Sequence, residues 1–214
     1  PAFTAKWLAP RLYEFARAHP EIELRFSAAL RMMDFDRDEV DVAIRFGYGD
    51  DSGLYSLPLR SEWVTPVMTP DMAARFPTPE SLQDAPFLYD ESINFMDPPC
   101  DWHTWFRAVG VDVTPTSGPH FSQADHATDA AKSGMGVVMG RRAMVIKDLA
   151  EGTLVAPYGV ALESHARFRF LCQKGMEDRP HIAAFREWIL DEIRKTEYVS
   201  KALKIIPVED VSPP

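Results

Sequence analysis

The sequence predicts an α/β protein of two lobes with mainly parallel sheets, and three observations favour this class. Short β-branched runs alternate with amphipathic stretches along the chain, which is typical of strands connected by helices. The 214 residues are 46% hydrophobic and 26% charged, so the chain can bury a sizeable core. Residues 41–47 and 129–140 each place a short strand beside a glycine-bounded turn, as the two walls of a cleft would.

The first fifth of the chain reads helix, strand, turn and strand. Residues 3–18 space their apolar side chains as an amphipathic helix does, although Pro10 lies within the pattern. Residues 22–27 alternate apolar and polar side chains and predict a strand. Residues 34–39 predict a polar turn, and residues 42–46 predict a buried strand.

The remaining elements continue the alternation. Residues 54–59 predict a strand, whereas residues 63–69 favour a crossover because Pro66 and Pro70 each lack a backbone donor. Further strands are predicted at residues 87–89, 119–121, 137–139, 154–156 and 168–172. Helices are predicted at residues 71–76, 101–109, 123–133, 142–149 and 179–195, from apolar periodicity, capping residues and terminal glycines.

The simplest domain organisation builds one lobe from both ends of the chain. Lobe I comprises residues 1–67 and 165–200, and lobe II comprises residues 68–164. Residues 201–214 form a tail. Two chain crossings, near residues 65–69 and 163–168, then form a hinge between the lobes.

Composition excludes several classes of function. The formal net charge of −9 repels phosphate backbones, so this chain alone is a poor candidate for binding DNA or RNA. Cys100 and Cys172 lie far apart and form no Cys-x-x-Cys pair, and no metal site and no cofactor are predicted. Two free thiols fit a reducing compartment, although the sequence also allows one disulfide between them. No apolar run is long enough for a membrane span.

Several motifs, taken together, identify a family resemblance. The chain resembles the effector-binding domain of LysR-type transcriptional regulators over residues 1–193. The motifs that carry this resemblance lie at residues 7–12 (Trp-Leu-Ala-Pro-Arg-Leu), 15, 19–24, 41–47, 57–59, 66–67, 134–137 and 149–154. Within that family it is most similar to the glycine-cleavage-activator subfamily, on Trp102, Trp105, residues 118–122 and residues 183–190.

The resemblance implies a fold and a role. It implies two Rossmann-like lobes in a type 2 periplasmic-binding-protein-like fold, with a small anionic or zwitterionic metabolite bound between them. It also implies a cytoplasmic homodimer, tetrameric at full length, that contacts DNA only through an N-terminal winged helix-turn-helix absent from this chain. The dimer contact would use the exposed sides of residues 11–18 and 125–133.

The resemblance also raises a question about the first lobe. The chain begins at Pro1 without a methionine, and the family's first strand, which precedes the first helix, is missing or cut short. One hypothesis is that residues 203–208 of the tail form a strand in the first sheet and partly cover this gap.

Helix N-termini are natural binding sites for an anionic ligand group, and two helices, opening at residues 2–4 and 122–123, are candidates. In the cleft that the resemblance implies, the predicted ligand-binding residues are Ala2, Phe3, Thr4, Asp34, Arg45, Thr65, Gln123, His126 and Phe168. Asp34 is included because the resemblance matches it in position to an acidic ligand contact of the β-lactamase-regulator relatives. Structural alternatives stay open for three of the predicted residues. Asp34 can cap the following turn. Arg45 can form an ion pair with Asp41 or Asp50. His126 can be a solvent-facing or packing residue.

Catalysis finds little support in the sequence. No Gly-x-Ser-x-Gly motif and no His-Glu-x-x-His motif is present, and residues 134–136 place their glycines before a strand rather than after one. No catalytic residue is therefore predicted. The alternative is a periplasmic solute-binding protein, which uses the same fold logic. The two classes of protein differ in the sequence that precedes this domain. A regulator has a helix-turn-helix there, and a transport protein has a signal peptide.

Overall fold

Helices and strands alternate in the computed structural model, which describes residues 1–28 and 34–211. Its strands are β1 (Ala43–Gly47), β2 (Leu54–Val67), β3 (Phe87–Asp90), β4 (His120–Phe121), β5 (Val137–Arg141), β6 (Val160–Gln173) and β7 (Lys204–Pro207). Its α-helices are α1 (Leu12–Ala18), α2 (Pro70–Arg75), α3 (Trp102–Val109), α4 (Ala124–Lys132), α5 (Arg142–Glu151), α6 (Pro180–Lys195) and α7 (Glu197–Lys201). The predicted α/β class is thus confirmed.

The chain forms two compact units. The first contains Pro1, residues 3–61 and residues 166–195, and the second contains Ala2, residues 62–165 and the chain from Thr196 onward. Apart from the isolated assignment of Ala2, the chain passes between the units after residues 61, 165 and 195. The long strands β2 and β6 each contribute residues to both units.

The strand pairing is mixed, whereas the sequence predicted mainly parallel sheets. β1 pairs antiparallel with β6, and β2 pairs antiparallel with β5. β3 pairs in parallel with β4 and β5, and β6 pairs in parallel with β7. Sequence periodicity reports which face of a strand is buried but not the direction of its neighbour, so the antiparallel pairs were not foreseen.

The helical segment at the start of the first unit is present but interrupted. Thr4–Leu8 is a π-helix and Ala9–Arg11 is a 3₁₀-helix, and only α1 is regular. Pro10 explains the change, because it has no N–H to donate to the preceding turn. The predicted apolar stripe is correct at its centre, where Trp7, Leu8 and Phe15 are buried.

Helix α1 packs against α6 through aromatic rings and a polar seam. The ring of Phe15 lies 5.3 Å from those of both Phe185 and Trp188. Beside them, the buried carboxylate of Glu192 lies 3.9 Å from Arg11 and also contacts Lys195. This pairing is what allows a charged residue to lie on the buried face of α6.

Two predictions for the first unit need correction. The strand predicted at residues 22–27 is wrong, since residues 23–28 have no regular structure and no neighbouring strand among the described residues pairs with them. The strand predicted at residues 42–46 is confirmed as β1, but its side chains are half-buried rather than buried. The polar turn at residues 34–39 is confirmed over its last five residues.

The predicted crossover at residues 63–69 is also wrong in its local structure. Residues 54–67 form one continuous strand, in which Pro66 faces Met139 of β5. Trp63, Val64 and Val67 are at most 1% exposed. Burial of each of these side chains stabilises the fold by about 1.5–3 kcal/mol. The missing N–H of Pro66 costs the strand one ladder hydrogen bond, about 1 kcal/mol, so burial outweighs this loss.

The core of the second unit lies between the sheet and α3. Trp102, Trp105 and Phe106 of α3 are buried as predicted, and the ring of Trp102 packs edge-on against Phe87 of β3 at 4.8 Å. Helix α3 begins at a cap, where the Asp101 side chain accepts the N–H of Thr104 at 2.8 Å. The predicted strand at residues 154–156 is reduced to one isolated bridge between Val155 and Met68.

The C-terminal segment forms a strand, but the hypothesis about its position is wrong. β7 pairs with Val160–Glu163 of β6 and belongs to the second unit, so it does not complete a sheet of the first unit. Burial of Val208, which is 2% exposed, favours this position.

Both cysteines are free and buried, as the prediction of free thiols requires. Burial raises the pKa of the Cys100 thiol to about 12. Among the described residues, no helix combines the length and apolar character needed to cross a membrane.

Candidate ligand-binding site

An aromatic cluster in the first unit brings together two of the predicted ligand-binding residues. The ring of Phe168 lies 4.6 Å from Phe3 and 4.7 Å from Phe46, which faces it across the β1–β6 ladder. Phe3 also stacks on Trp7 at 5.1 Å. Sequence reasoning missed Phe46, whose side chain points to the opposite face of β1 from Arg45 because successive side chains of a strand alternate.

The start of the first helical segment adjoins this cluster through Phe3. Ala2, Phe3 and Thr4 are half-buried. The carbonyl of Pro1 accepts the N–H of Ala5 at 3.1 Å, so helical hydrogen bonding is established by the fifth residue. The first N–H groups of a helix have no acceptor within it and carry partial positive charge. This end of the segment is therefore suited to a negatively charged ligand group.

Arg45 lies in β1, and its guanidinium is 5.8 Å from the ring centroid of Phe35. Its charge also helps to lower the pKa of Asp51. The predicted alternative partners were Asp41 and Asp50, and Asp51 was not foreseen.

Arg169, which sequence reasoning missed, fixes the turn that follows β1. It faces Arg45 across the ladder and donates to Asp51 at 2.6 Å and to the Gly47 carbonyl at 2.5 Å. Burial alone raises the pKa of Asp51, but hydrogen bonds from Ser56 and Arg169 outweigh it, so this pKa lies below its usual value. The alternating pattern of its strand could have singled out Arg169 as a charged residue between apolar ones. Its partners Asp51 and Gly47 could not be predicted, because they meet it only in the tertiary structure.

Asp34 caps a turn, which was the structural alternative to ligand binding. Its Oδ1 accepts the N–H groups of Asp36 at 3.0 Å and Arg37 at 3.2 Å. Its own N–H donates to Asp38 at 2.8 Å. The side chain is exposed, so contact with a ligand stays a prediction alongside this capping role.

Thr65 lies in the second unit, is 1% exposed and is already hydrogen-bonded. Its hydroxyl donates to the Val160 carbonyl at 2.7 Å, and the Trp105 indole N–H donates to the same oxygen at 3.0 Å. This double hydrogen bond links β2, α3 and β6. The structure therefore gives Thr65 an internal role, and a ligand contact there stays a prediction.

Gln123 and His126 lie at the start of α4 in the second unit. Gln123 is the half-buried N-cap residue, and its side chain does not make the capping hydrogen bond. Next to it, a buried Oδ1 atom of Asp125 has no hydrogen-bond partner among the described residues. His126 is exposed. The amide of Gln123 is thus not used for capping, which keeps it a reasonable candidate for ligand contact.

No group of three or more His, Cys, Asp or Glu side chains in residues 1–28 and 34–211 is arranged to hold a metal ion.

Comparisons with known proteins agree on one family. A profile of the LysR substrate binding domain matches residues 1–194. The chain is 35% identical over 194 residues to the glycine cleavage system transcriptional activator of Escherichia coli K12, covering 89% of this chain and 62% of that protein. It is 31% identical over 187 residues to the HTH-type transcriptional activator AmpR of Rhodobacter capsulatus, covering 87% and 62%. The chain thus spans about three fifths of these relatives.

A solved structure supports the same assignment. The effector domain of the transcriptional regulator AmpR of Pseudomonas aeruginosa matches with a TM-score of 0.70 and 28% identity, covering 92% of this chain and 94% of that one. The chain therefore belongs to the LysR substrate-binding domain family.

Proposed function

We propose that this chain is the effector-sensing regulatory domain of a LysR-type DNA-binding transcriptional regulator. The observation that carries the proposal is the family match over residues 1–194, which extends through both compact units. The relatives reported above are named as transcriptional activators, which disfavours the alternative of a transporter's solute-binding protein. By this proposal the domain binds its effector without chemical change and works in the cytoplasm.

The proposed effector is a small anionic or zwitterionic metabolite. The first N–H groups of the helical segment would attract a carboxylate. The guanidinium of Arg45, which points to the other face of β1 from Phe46, is a second candidate partner for a carboxylate. The rings of Phe3 and Phe168 offer an apolar surface for the rest of the molecule. A hydrogen bond from the side chain of Gln123 to a ligand stays a separate prediction.

The proposed mechanism is a shift between arrangements of the protein. An effector that binds one arrangement more tightly raises its population, and only this difference in affinity produces the response. The change would reach DNA through a helix-turn-helix domain that is not part of this chain. Homodimers, and tetramers in the full-length regulator, would transmit it.

A thermal-shift screen with amino acids, aromatic acids and cell-wall fragments tests the proposal and identifies the class of effector. A ligand that binds the folded domain raises its melting temperature in proportion to RT ln(1 + [L]/Kd). Saturable stabilisation by one of these compounds, confirmed by calorimetry, is the expected result. Failure of every class to bind the intact regulator would contradict the proposed sensing role.

Arg45→Gln then tests the contact to the carboxylate. Removing one charged hydrogen-bond partner costs about 1.5–3 kcal/mol, which corresponds to a roughly 10- to 100-fold weaker affinity. Arg25→Gln is the matched control, because the side chain of Arg25 is 86% exposed and its partner among the described residues is its neighbour Glu23. Equal calorimetric affinities of the two variants would remove Arg45 from the site.

Asp34 requires two substitutions, because capping and ligand contact must be separated. Asp34→Asn keeps the oxygen that accepts the N–H groups of Asp36 and Arg37 but removes the charge. If Asp34 receives an amine of the effector, this variant loses affinity while its melting temperature is maintained. Asp34→Ala is expected to lose about 1 kcal/mol of stability in addition. Unchanged affinity in Asp34→Asn would leave Asp34 with its capping role alone.

A further inference from the structure

The last part of the chain lies beyond the family match and yet is built into the second unit. The match ends at residue 194, and the chain passes from the first unit to the second between residues 195 and 196. The segment of residues 196–211 contains α7 and β7. It makes contacts at each of the two places where the long strands leave the second unit.

The first of these places is the start of the second unit's part of β2, at residue 62. Ser200 of α7 accepts the indole N–H of Trp63 at 3.0 Å, and both side chains are buried, with exposures of 5% and 1%. Without this acceptor, the buried indole N–H of Trp63 would have no hydrogen-bond partner among the described residues. The protein would then bear the full cost of removing that N–H from water. Ser200 therefore fixes the ring of Trp63, one residue from the division between the units.

The second place is the end of the second unit's part of β6, at residue 165. β7 pairs in parallel with Val160–Glu163, and the N–H of Lys204 donates to the Gly159 carbonyl at 2.8 Å. Beyond the paired residues, His165 lies 2.8 Å from the carboxylate of Glu209. The segment thus follows β6 to the last residue that β6 contributes to the second unit.

A third contact anchors the segment to the body of the second unit. Glu197 of α7 pairs with the guanidinium of Arg142, at the start of α5, at 3.1 Å. The side chain of Arg142 is 8% exposed, so this ion pair is screened by solvent less than one on the surface. Val208 adds a buried apolar contact at the far end of the segment.

We propose that residues 196–211 form a clasp that holds β2 and β6 rigid where both strands leave the second unit. Hinge motions are absorbed by a few residues at the ends of elements. Residues fixed by strand pairing and buried hydrogen bonds resist such changes in backbone angles. By this proposal, the backbone bends only in the residues of β2 and β6 that belong to the first unit, and the clasp limits the extent of this bending.

Hydrogen exchange on the complete chain tests the clasp. Ser200→Ala removes the acceptor of the Trp63 N–H, and Lys204→Pro removes the N–H that bonds to Gly159. Both variants are expected to raise amide exchange about tenfold at residues 62–65 and 160–165. Exchange within α3 is expected to stay unchanged. The matched control is Lys204→Ala, which keeps the backbone donor and removes only an exposed side chain.

Two outcomes would overturn the clasp. One is unchanged exchange at residues 62–65 and 160–165 in both variants. The other is an equal rise in α3, which would mean that the segment only adds to the general stability of the second unit. Because the measurement uses no effector, its result does not depend on the proposed sensing function.

Discussion

At the scale of single residues, the most unusual group is the buried carboxyl of Glu62. Glu62 is 2% exposed, and its Oε1 accepts the N–H of Ala143 in the first turn of α5 at 3.1 Å. The guanidinium of Arg141 lies 3.9 Å away. Burial raises the pKa of this carboxyl even though the two neighbouring arginines and the Ala143 N–H act in the opposite direction.

The raised pKa predicts a particular dependence of stability on pH. A group whose pKa is higher in the folded state than in the unfolded state contributes stability that is complete below the unfolded value, about 4.3. That contribution is lost as the pH rises through the folded pKa. Relative to Glu62→Gln, which cannot ionise, the native protein should therefore lose stability from about pH 4 upward.

Urea unfolding at several pH values, followed by tryptophan fluorescence, measures this difference. Glu80→Gln is the matched control, because Glu80 is exposed. A stability difference between the native protein and Glu62→Gln that does not change with pH would contradict the prediction.

The residues of the candidate site differ in how well the sequence alone predicts their contacts. Phe3 and Phe168 were predicted separately, and the structure brings their rings together. Arg169 could not be recognised, because its partners Asp51 and Gly47 lie more than 100 positions away and meet it only through the β1–β6 ladder. Capping by Asp34 was foreseeable because the N–H groups that donate to its carboxylate are only two and three residues away.

At the scale of elements, locally encoded features were predicted well and features set by neighbours were not. The helix over residues 102–109 carries its cap at Asp101 and its stop at Gly110, so sequence alone located it. The alternation at residues 22–27 was a genuine strand pattern, but a strand also needs a partner. The interruption of the first helical segment follows from Pro10, whereas the π-helical geometry of Thr4–Leu8 before it could not be predicted.

The turn after β1 supplies a prediction at this scale. Gly49 has a φ of +63°, and a Cβ placed there would lie 2.2 Å from Nη2 of Arg169. Gly53 has a φ of +82° with nothing within 4 Å of such a Cβ. Gly53→Ala should therefore cost only the backbone strain, about 1–2 kcal/mol.

Gly49→Ala should cost more than its matched partner, because it also displaces a guanidinium bonded to Asp51 and Gly47. An additional loss of about 1–3 kcal/mol is expected from those hydrogen bonds. Chemical denaturation of the two variants gives the comparison directly. Equal losses of stability would show that Arg169 moves aside at no cost and does not fix the turn.

At the scale of the whole molecule, the exposed face of α1 predicts the oligomeric state. Tyr13 is 71% exposed, with the guanidinium of Arg17 5.7 Å from its ring centroid. An exposed aromatic ring beside an arginine is typical of the centre of a protein interface. This agrees with the proposal that residues 11–18 contribute to a homodimer.

Tyr13→Asp should weaken that dimer. Loss of a central aromatic residue costs about 2 kcal/mol or more, which corresponds to a roughly 30-fold rise in the dissociation constant. Tyr198→Asp is the matched control, since Tyr198 is 60% exposed but lies on α7. Sedimentation equilibrium of both variants is the measurement. A dimer that tolerates Tyr13→Asp as well as Tyr198→Asp would place the interface elsewhere.

The burial of the two cysteines has a practical consequence for labelling the protein with a fluorophore. Cys100 and Cys172 are 2% and 0% exposed, and a thiol with a pKa of about 12, as at Cys100, is almost entirely protonated at neutral pH. Maleimide reagents attack accessible thiolates. A single cysteine introduced on the surface should therefore accept a fluorophore selectively, with both native thiols left in place.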